Sequence, residues 1–369
     1  MPLSRRQALT VIGGGSVLAA TGSATAFLAT RRPEAALAPW QAAGGYDDPR
    51  RFALSYAILA PNPHNRQPWL VGLDRPEHVV LHRDKTRDLP VTDPEARQLT
   101  IGLGCFLELM AIAAAERGYG IDLELFPDGE DGPVAVADFR AGGAEPDPLF
   151  AQALHRRSCK EPFEDRPLPE EMAAALADFG RVVTEPAEVA ELRRLTWEAW
   201  MVEATTPAAY RESVELMRFG KTEIEANPDG ISLGGPFLES LMLLGLLDRA
   251  SQLDPESMAF KEGVAIYREM LAAAPAYLAL ATRGNSRSAQ IGAGRRWLRL
   301  NLTTTALGLS LHPVSQALQE YPEMAELRDE AHARLAAPGE TLQMLGRLGF
   351  GPATPRTPRW PLETRIRNG

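Results

Sequence analysis

The tightest limit on how this 369-residue chain can fold is one ten-residue run, Ala60-Pro61-Asn62-Pro63-His64-Asn65-Arg66-Gln67-Pro68-Trp69. Prolines 61, 63 and 68 fix their own φ and push the residues before them toward extended backbone, so no helix can pass through. Asn62, His64, Asn65 and Gln67 are therefore presented as donors and acceptors on a loop of preset shape. Two readings stand at this point. The loop either joins a helix to a strand and satisfies nearby backbone, or it touches a ligand.

With 45% apolar and 24% charged residues, the chain has the composition of a soluble globular protein with room for two domains or one large one. A formal charge of −9 argues against a nucleic-acid partner, which would call for concentrated Lys and Arg. Cys105 lies in an apolar run and Cys159 in a basic one, so both are read as free thiols. His78 and His82 share a strand face without a third ligand, and no metal centre is expected. Ser158 beside His155 lacks the Gly-x-Ser-x-Gly elbow of a nucleophile.

Residues 1–40 read as a leader and linker. Ser4-Arg5-Arg6-Gln7-Ala8-Leu9 precedes a mildly apolar stretch at 9–29, interrupted by Gly13, Gly14, Gly15 and Gly22, which resembles a twin-arginine export signal. Ala24-Thr25-Ala26 and Ala36-Leu37-Ala38 both fit a small-x-small cleavage site, and retention as an anchor stays open. Such signals carry proteins that are already folded, often around a cofactor.

From 47 to 60 apolar residues recur at helical spacing until Pro61. Strands are expected at 69–73 and 78–82, joined as a hairpin. Thr92-Asp93-Pro94-Glu95 then reads as a cap with Pro in the first turn of a long helix reaching Gly118. That helix is apolar on several faces, so it should lie deep or between two similar units. Strands follow at 121–126 and 134–139. A second unit is expected to open with a helix from Pro148 that Pro162 ends. Further helices are expected at 168–180, 186–204 and 207–220, and a packed or lid-like apolar helix at 237–247. The last elements are a strand at 277–282, a helix after Gly292, another near 322–336 and a strand at 341–350. No short repeat stands out, yet the order helix, strands, buried helix, strand occurs twice.

Two basic clusters could carry chemistry. Arg156-Arg157-Ser158-Cys159-Lys160 reads either as cations at a helix C-terminus or as an anion cradle, since guanidinium groups match phosphate oxygens. Arg356-Thr357-Pro358-Arg359-Trp360-Pro361 is held extended by its prolines.

The 60–69 loop resembles the Ala-Pro-Ser-x-x-Asn-x-Gln-Pro-Trp loop of the nitroreductase superfamily, and Arg156 to Lys160 resembles its Arg-Arg-Ser-x-Arg/Lys turn that binds FMN. Arg359-Trp360-Pro361 is similar to its C-terminal phosphate contact. Here the basic turn follows the loop instead of preceding it. Together with Asp93-Pro94-Glu95-Ala96-Arg97-Gln98-Leu99-Thr100-Ile101-Gly102 and Lys160-Glu161-Pro162-Phe163, this order is similar to the Acg-like FMN-binding oxidoreductases.

The resemblance implies an α+β, nitroreductase-like fold whose two fused halves, 47–145 and 146–369, mimic the usual homodimer. The second half carries a lid-like helical insertion at 186–274. One composite FMN site follows, its twin lost. Arg156, Arg157, Ser158, Lys160, Arg356 and Arg359 would come from the second half, and Pro61, Asn62, Asn65 and Gln67 from the first, with Asn62 where relatives carry Ser. Lys160 would stabilise charge at the flavin N1 and C2 carbonyl. The implied protein is a monomeric, exported, periplasmic or otherwise extracytoplasmic oxidoreductase, recognised by the twin-arginine machinery. It would pass electrons from NAD(P)H or another donor through FMN to a small organic acceptor. The alternative is an FMN-sequestering protein with little turnover.

Overall fold

The structure, a computed structural model, describes residues 30–367, so the twin-arginine reading of residues 4–29 lies outside the described residues. The chain enters through two short helices, α1 (Glu34–Leu37) and α2 (Pro39–Ala42), which bury Leu37 and Trp40. The end of the expected linker is thus part of the fold. Trp40 Nε1 donates to Thr357 O at 2.8 Å, and Ala36 O accepts from Arg359 N at 2.8 Å.

The first half is built as α3 (Pro49–Ala57), β1 (Trp69–Gly72), β2 (His78–Arg83), α4 (Arg97–Glu116), β3 (Tyr119–Leu125) and β4 (Ala135–Ala141). The expected cap of α4 is displaced: the helix starts at Arg97, after Ala96 takes a left-handed φ of 50°. Asp93 still caps it from outside, its two carboxylate oxygens accepting from Gln98 N at 3.0 Å and Leu99 N at 2.9 Å.

The second half differs at its start. The helix expected from Pro148 is only a 3₁₀ turn, Pro148–Gln152, and residues 156–160 form neither helix nor strand. Their side chains are tied to different elements, which a helix could not reach together, and this removes the reading of these cations as a helix C-terminus. Then come α5 (Glu170–Leu176) and β5 (Arg181–Val183). The insertion holds α6 (Pro186–Thr205), α7 (Pro207–Glu215), β6 (Met217–Phe219), α8 (Gly220–Ala226), β7 (Ile231–Leu233), α9 (Pro236–Leu243), α10 (Arg249–Leu253) and α11 (Met258–Ala272). The parallel β6–β7 pair was not foreseen. Nor was the exposure of α9, expected to be packed. The half closes with β8 (Ala276–Arg283), α12 (Arg287–Ala306), β9 (Ser310–Pro313), α13 (Ala325–Leu335), β10 (Glu340–Gly349) and β11 (Ile366–Arg367).

Two sheets result, β11-β1-β2-β4-β3 and β5-β8-β10-β9. Without β11, they share one topology: an edge strand, its antiparallel neighbour, a long helix, then an antiparallel pair whose second strand inserts centrally, with α13 between the two strands in the second half. The halves are therefore two copies of one α+β plan.

The pseudo-twofold runs through the crossing of α4 and α12. A Cβ at Gly104 would stand 2.2 Å from Ile291 O, and one at Gly294 would stand 2.0 Å from Ile101 O. The reciprocal contact uses a repeat, Ile101-Gly102-Leu103-Gly104 against Ile291-Gly292-Ala293-Gly294, that lay unnoticed in the sequence. As expected, α4 lies deep, between the halves. Although long and apolar enough to cross a membrane, it is a core helix here. Around the crossing, the buried Glu108 carboxylate accepts from Arg295 Nε at 2.6 Å and Arg299 Nε at 2.5 Å. Arg97 donates to Leu318 O at 2.7 Å and Gln343 O at 2.8 Å.

Candidate functional site

The 60–69 loop depends on three non-glycine residues in the left-handed region, His64 (φ 47°), Asn65 (52°) and Gln67 (51°). Such backbone costs roughly 1 kcal/mol or more per residue and persists only when its surroundings enforce it. Asn62 supplies part of the brace, donating to Ala60 O at 3.1 Å and accepting from Gln67 N at 2.7 Å. The rest comes from the second half. Asn65 Nδ2 donates to Pro358 O at 3.1 Å and Pro228 O at 3.3 Å. Gln67 is fully buried, donates to Pro228 O at 2.7 Å and accepts from Trp360 N at 2.9 Å. It therefore holds the loop instead of lining a hollow, a different place from the one expected. Pro61 stays half-buried at the loop's head.

Arg66, not singled out in the sequence, anchors the insertion. Buried Asp229 accepts from Arg66 at 2.6 Å, Arg87 at 2.9 Å and Arg218 at 3.1 Å.

Beside the loop four arginines gather, three of them around Trp40. The guanidinium carbons of Arg157, Arg356 and Arg359 lie 4.7, 5.5 and 5.7 Å from its ring centroid. Arg156 and Arg359, both buried, each donate to Leu59 O at 3.1 Å. Arg156 also donates to Asn301 Oδ1 at 3.0 Å, and Arg359 to Asn65 Oδ1 at 2.6 Å and Thr357 Oγ1 at 2.7 Å.

Among the described residues, none of the four pairs with a carboxylate, and the Nε atoms of Arg156, Arg157 and Arg359 are buried without a partner. Burial, then repulsion from Arg156 and Arg157, pushes Arg359 down to about 9. Burial, then Arg157, pushes Arg156 down to about 10, and burial, then Arg356, does the same to Arg157. Buried like charges cost several kcal/mol unless something neutralises them. An anion with several oxygens answers both the charge and the open N–H groups.

The other end of the site is Lys160. Ser158 is half-buried between it and the arginines in sequence. Lys160 has an accessible side chain, yet loss of solvent lowers its pKa, opposed by Glu203. His64, from the first half, is pushed down to about 4 by burial, then by Lys160, then by Arg66. Glu203 of α6, buried and accepting from Ser213 and Gln319 at 3.0 Å each, is raised by burial.

Arg347, which sequence reasoning missed, fixes the Lys160 backbone. Fully buried on β10, it donates to Cys159 O at 3.0 Å and Glu161 O at 2.7 Å, on either side of Lys160. Its Nε donates to His312 Nδ1 at 3.0 Å, and burial, then Arg347 and Lys160, keeps that imidazole neutral. Cys159 and Cys105 are buried free thiols, as expected.

Fold and site together define a pseudo-symmetric α+β protein with a cationic cluster where its two halves meet. No family model matches the chain. Among relatives, Rv3131 of Mycobacterium tuberculosis H37Rv, named as an NAD(P)H nitroreductase, is 27% identical over 324 residues, 84% of this chain and 88% of its own. PigM of Serratia sp. ATCC 39006, given the same activity in its name, is 26% identical over 75% of this chain and 82% of its own. Over a shorter span, acg of M. tuberculosis H37Rv is 34% identical, across 32% of this chain and 36% of its own. The chain is thus similar along most of its length to proteins named as nitroreductases, the Acg-like ones among them. Among solved structures, FMN-dependent nitroreductase NfnB from Mycobacterium smegmatis in complex with NADPH is 20% identical, covers 60% of this chain and 98% of its own, and has a TM-score of 0.38. A nitroreductase-like protein from Anabaena variabilis covers 80% of this chain and 82% of its own at a TM-score of 0.41.

Proposed function

We propose that the protein is an exported oxidoreductase that binds one FMN at the seam and uses it to reduce a small organic acceptor. The single observation that carries this is the cluster of Arg156, Arg157, Arg356 and Arg359, three of them around Trp40, in which the Nε atoms of Arg156, Arg157 and Arg359 are buried without a partner and, among the described residues, no guanidinium pairs with a carboxylate. A phosphate fits that donor set. Arg156, Arg157, Arg356 and Arg359 would hold it, with Ser158 and Lys160 from the second half and Pro61, Asn62 and Asn65 from the first completing the pocket. Gln67 positions the loop.

Bound FMN would supply hydride and single-electron chemistry, as it does in flavoenzymes generally. The protein's own part is to bind, orient and tune. Lys160 would hold positive charge beside the bound group, where it favours anionic character in its neighbour. His64 stays neutral at physiological pH and can donate or accept one hydrogen bond without adding charge. NAD(P)H is the donor suggested by the relatives' names.

Two fused halves make a monomer the expected state. Export by the twin-arginine route places it outside the cytoplasm. Cleavage at Ala24-Thr25-Ala26 leaves the fold intact, whereas cleavage after Ala38 would remove the Ala36 carbonyl that holds Arg359. A sequestering role without turnover is favoured by one feature, the bracing of the loop by Pro228 and Asp229 of the insertion.

The test is an absorbance titration of the purified protein with FMN, followed by anaerobic NADH or NADPH. The expected result is stoichiometric flavin binding with bleaching by a nicotinamide. Bleaching by dithionite alone would favour sequestration, and no binding would sink both readings. Arg156→Ala and Asn65→Ala, one in each half, should each weaken FMN at least about tenfold, the worth of a charge-assisted hydrogen bond of ~1.5–3 kcal/mol.

A further inference from the structure

Helix α9 is built inside out. Its carboxylate, Glu239, is buried, accepting from Lys221 N at 3.1 Å and pairing with Arg31 at 3.1 Å. Phe237 and Leu243 of the helix and Leu244 and Leu246 of the turn after it face water, 49%, 75%, 71% and 57% exposed, while Leu238, Leu241 and Met242 are half-buried and Leu247 is buried. A soluble helix packs the other way round, and a contiguous apolar surface of this kind marks a contact with something apolar.

The chain itself points to what that is. Arg31 sits on Glu239, and Lys221 Nζ donates to Arg32 O at 3.1 Å, so residues 1–29 join the fold beside this helix. Those residues include the apolar stretch at 9–29. Arg32 and Arg249 lie exposed near the same junction. With a net charge of −9 the whole molecule gains nothing from an anionic surface, so contact would rest on apolar burial.

We propose that residues 237–246 form a membrane-surface contact, with Phe237, Leu243, Leu244 and Leu246 lying among the acyl chains at the interface of a bilayer, next to the point where the N-terminal stretch joins the fold. The contact orients the protein with its insertion toward the lipid. It is independent of the flavin reading.

The experiment uses the full chain with an environment-sensitive fluorophore on Leu244→Cys, and on Glu171→Cys of α5 as a control; Cys105 and Cys159 are buried. Zwitterionic phosphatidylcholine vesicles with brominated acyl chains serve as quencher. The label at position 244 should be quenched roughly threefold or more over that at 171. Adding Leu243→Asp should lower the quenched fraction about tenfold, the partition cost of losing one buried leucine. Three results would overturn the proposal. One is a chain that floats with the vesicles while position 244 is unquenched, since the N-terminal stretch then binds alone. Another is a label shielded without lipid at every dilution, because that stretch then covers the helix. The third is shielding lost on dilution, which assigns the patch to a second copy.

Discussion

Arg157 shows how a residue can be poor for stability and good for binding. Its guanidinium donates only to the carbonyls of Leu154 at 3.0 Å and Arg156 at 2.6 Å and rests on Trp40. Beside three other cations, it is held in the charged form at a cost. Arg157→Met should therefore raise the FMN dissociation constant about tenfold or more, read by fluorescence titration, while the urea midpoint of the flavin-free protein does not fall. Arg347 had no such signal in the sequence. An isolated arginine in a strand looks like a surface residue, and only the fold shows that it reaches the carbonyls flanking Lys160.

At the scale of elements, the entry to α4 carries a pH signature. Burial raises Asp93 to about 6, against the backbone N–H groups of Gln98 and Leu99, which lower it. Between the ordinary carboxyl pKa and about 6, the folded protein then holds more protons than the unfolded chain, so its stability falls as pH rises through that window. Urea unfolding of wild type and Asp93→Asn should show their difference moving toward the asparagine variant between pH 4 and pH 7, by about 2 kcal/mol.

The helix crossing makes a second test. Gly294→Ala forces a Cβ onto Ile101 O and should cost ~3 kcal/mol or more, whereas Gly292→Ala, with nothing near its Cβ, should gain roughly 0.5–1 kcal/mol in a thermal melt. Strong periodicity made α4, α6 and β10 legible in the sequence. The expected helix at 148–162 failed because propensity there is outweighed by the burial of Arg156 and the ties of Cys159 to Leu311 and Arg347 to its carbonyls. The Ile-Gly-x-Gly repeat was overlooked because glycines inside a helix suggest a break, and only the opposing helix explains why they stay.

For the whole molecule, symmetry of plan ends in asymmetry of site. Gly102 would press a Cβ to 3.0 Å from Asn62 Cβ, while its counterpart Gly292 faces open space. The second half has no loop at that place: the 3₁₀ turn at 177–179 leads through Gly180 directly into β5. Equilibrium dialysis should accordingly give one FMN per chain, and sedimentation a monomer. Two flavins per chain would contradict the single seam site. The two basic clusters and the loop were legible as parts, and the family resemblance implied that they converge. The means of convergence was not legible, because it is a C-terminal arm whose Pro358, Arg359 and Trp360 cross back to brace the first half.

That arm has a temporal consequence. β11 pairs in parallel with β1, Trp360 and Pro358 brace the loop, and Arg359 closes the arginine cluster. All of these lie within the last dozen or so residues of the chain. During synthesis the first half emerges with its loop unbraced and its β1 edge bare until the arm at 358–367 follows. The cationic cluster is thus completed late, and a nascent chain cut short at Gly349 would lack Arg356, Arg359 and the braces of the loop.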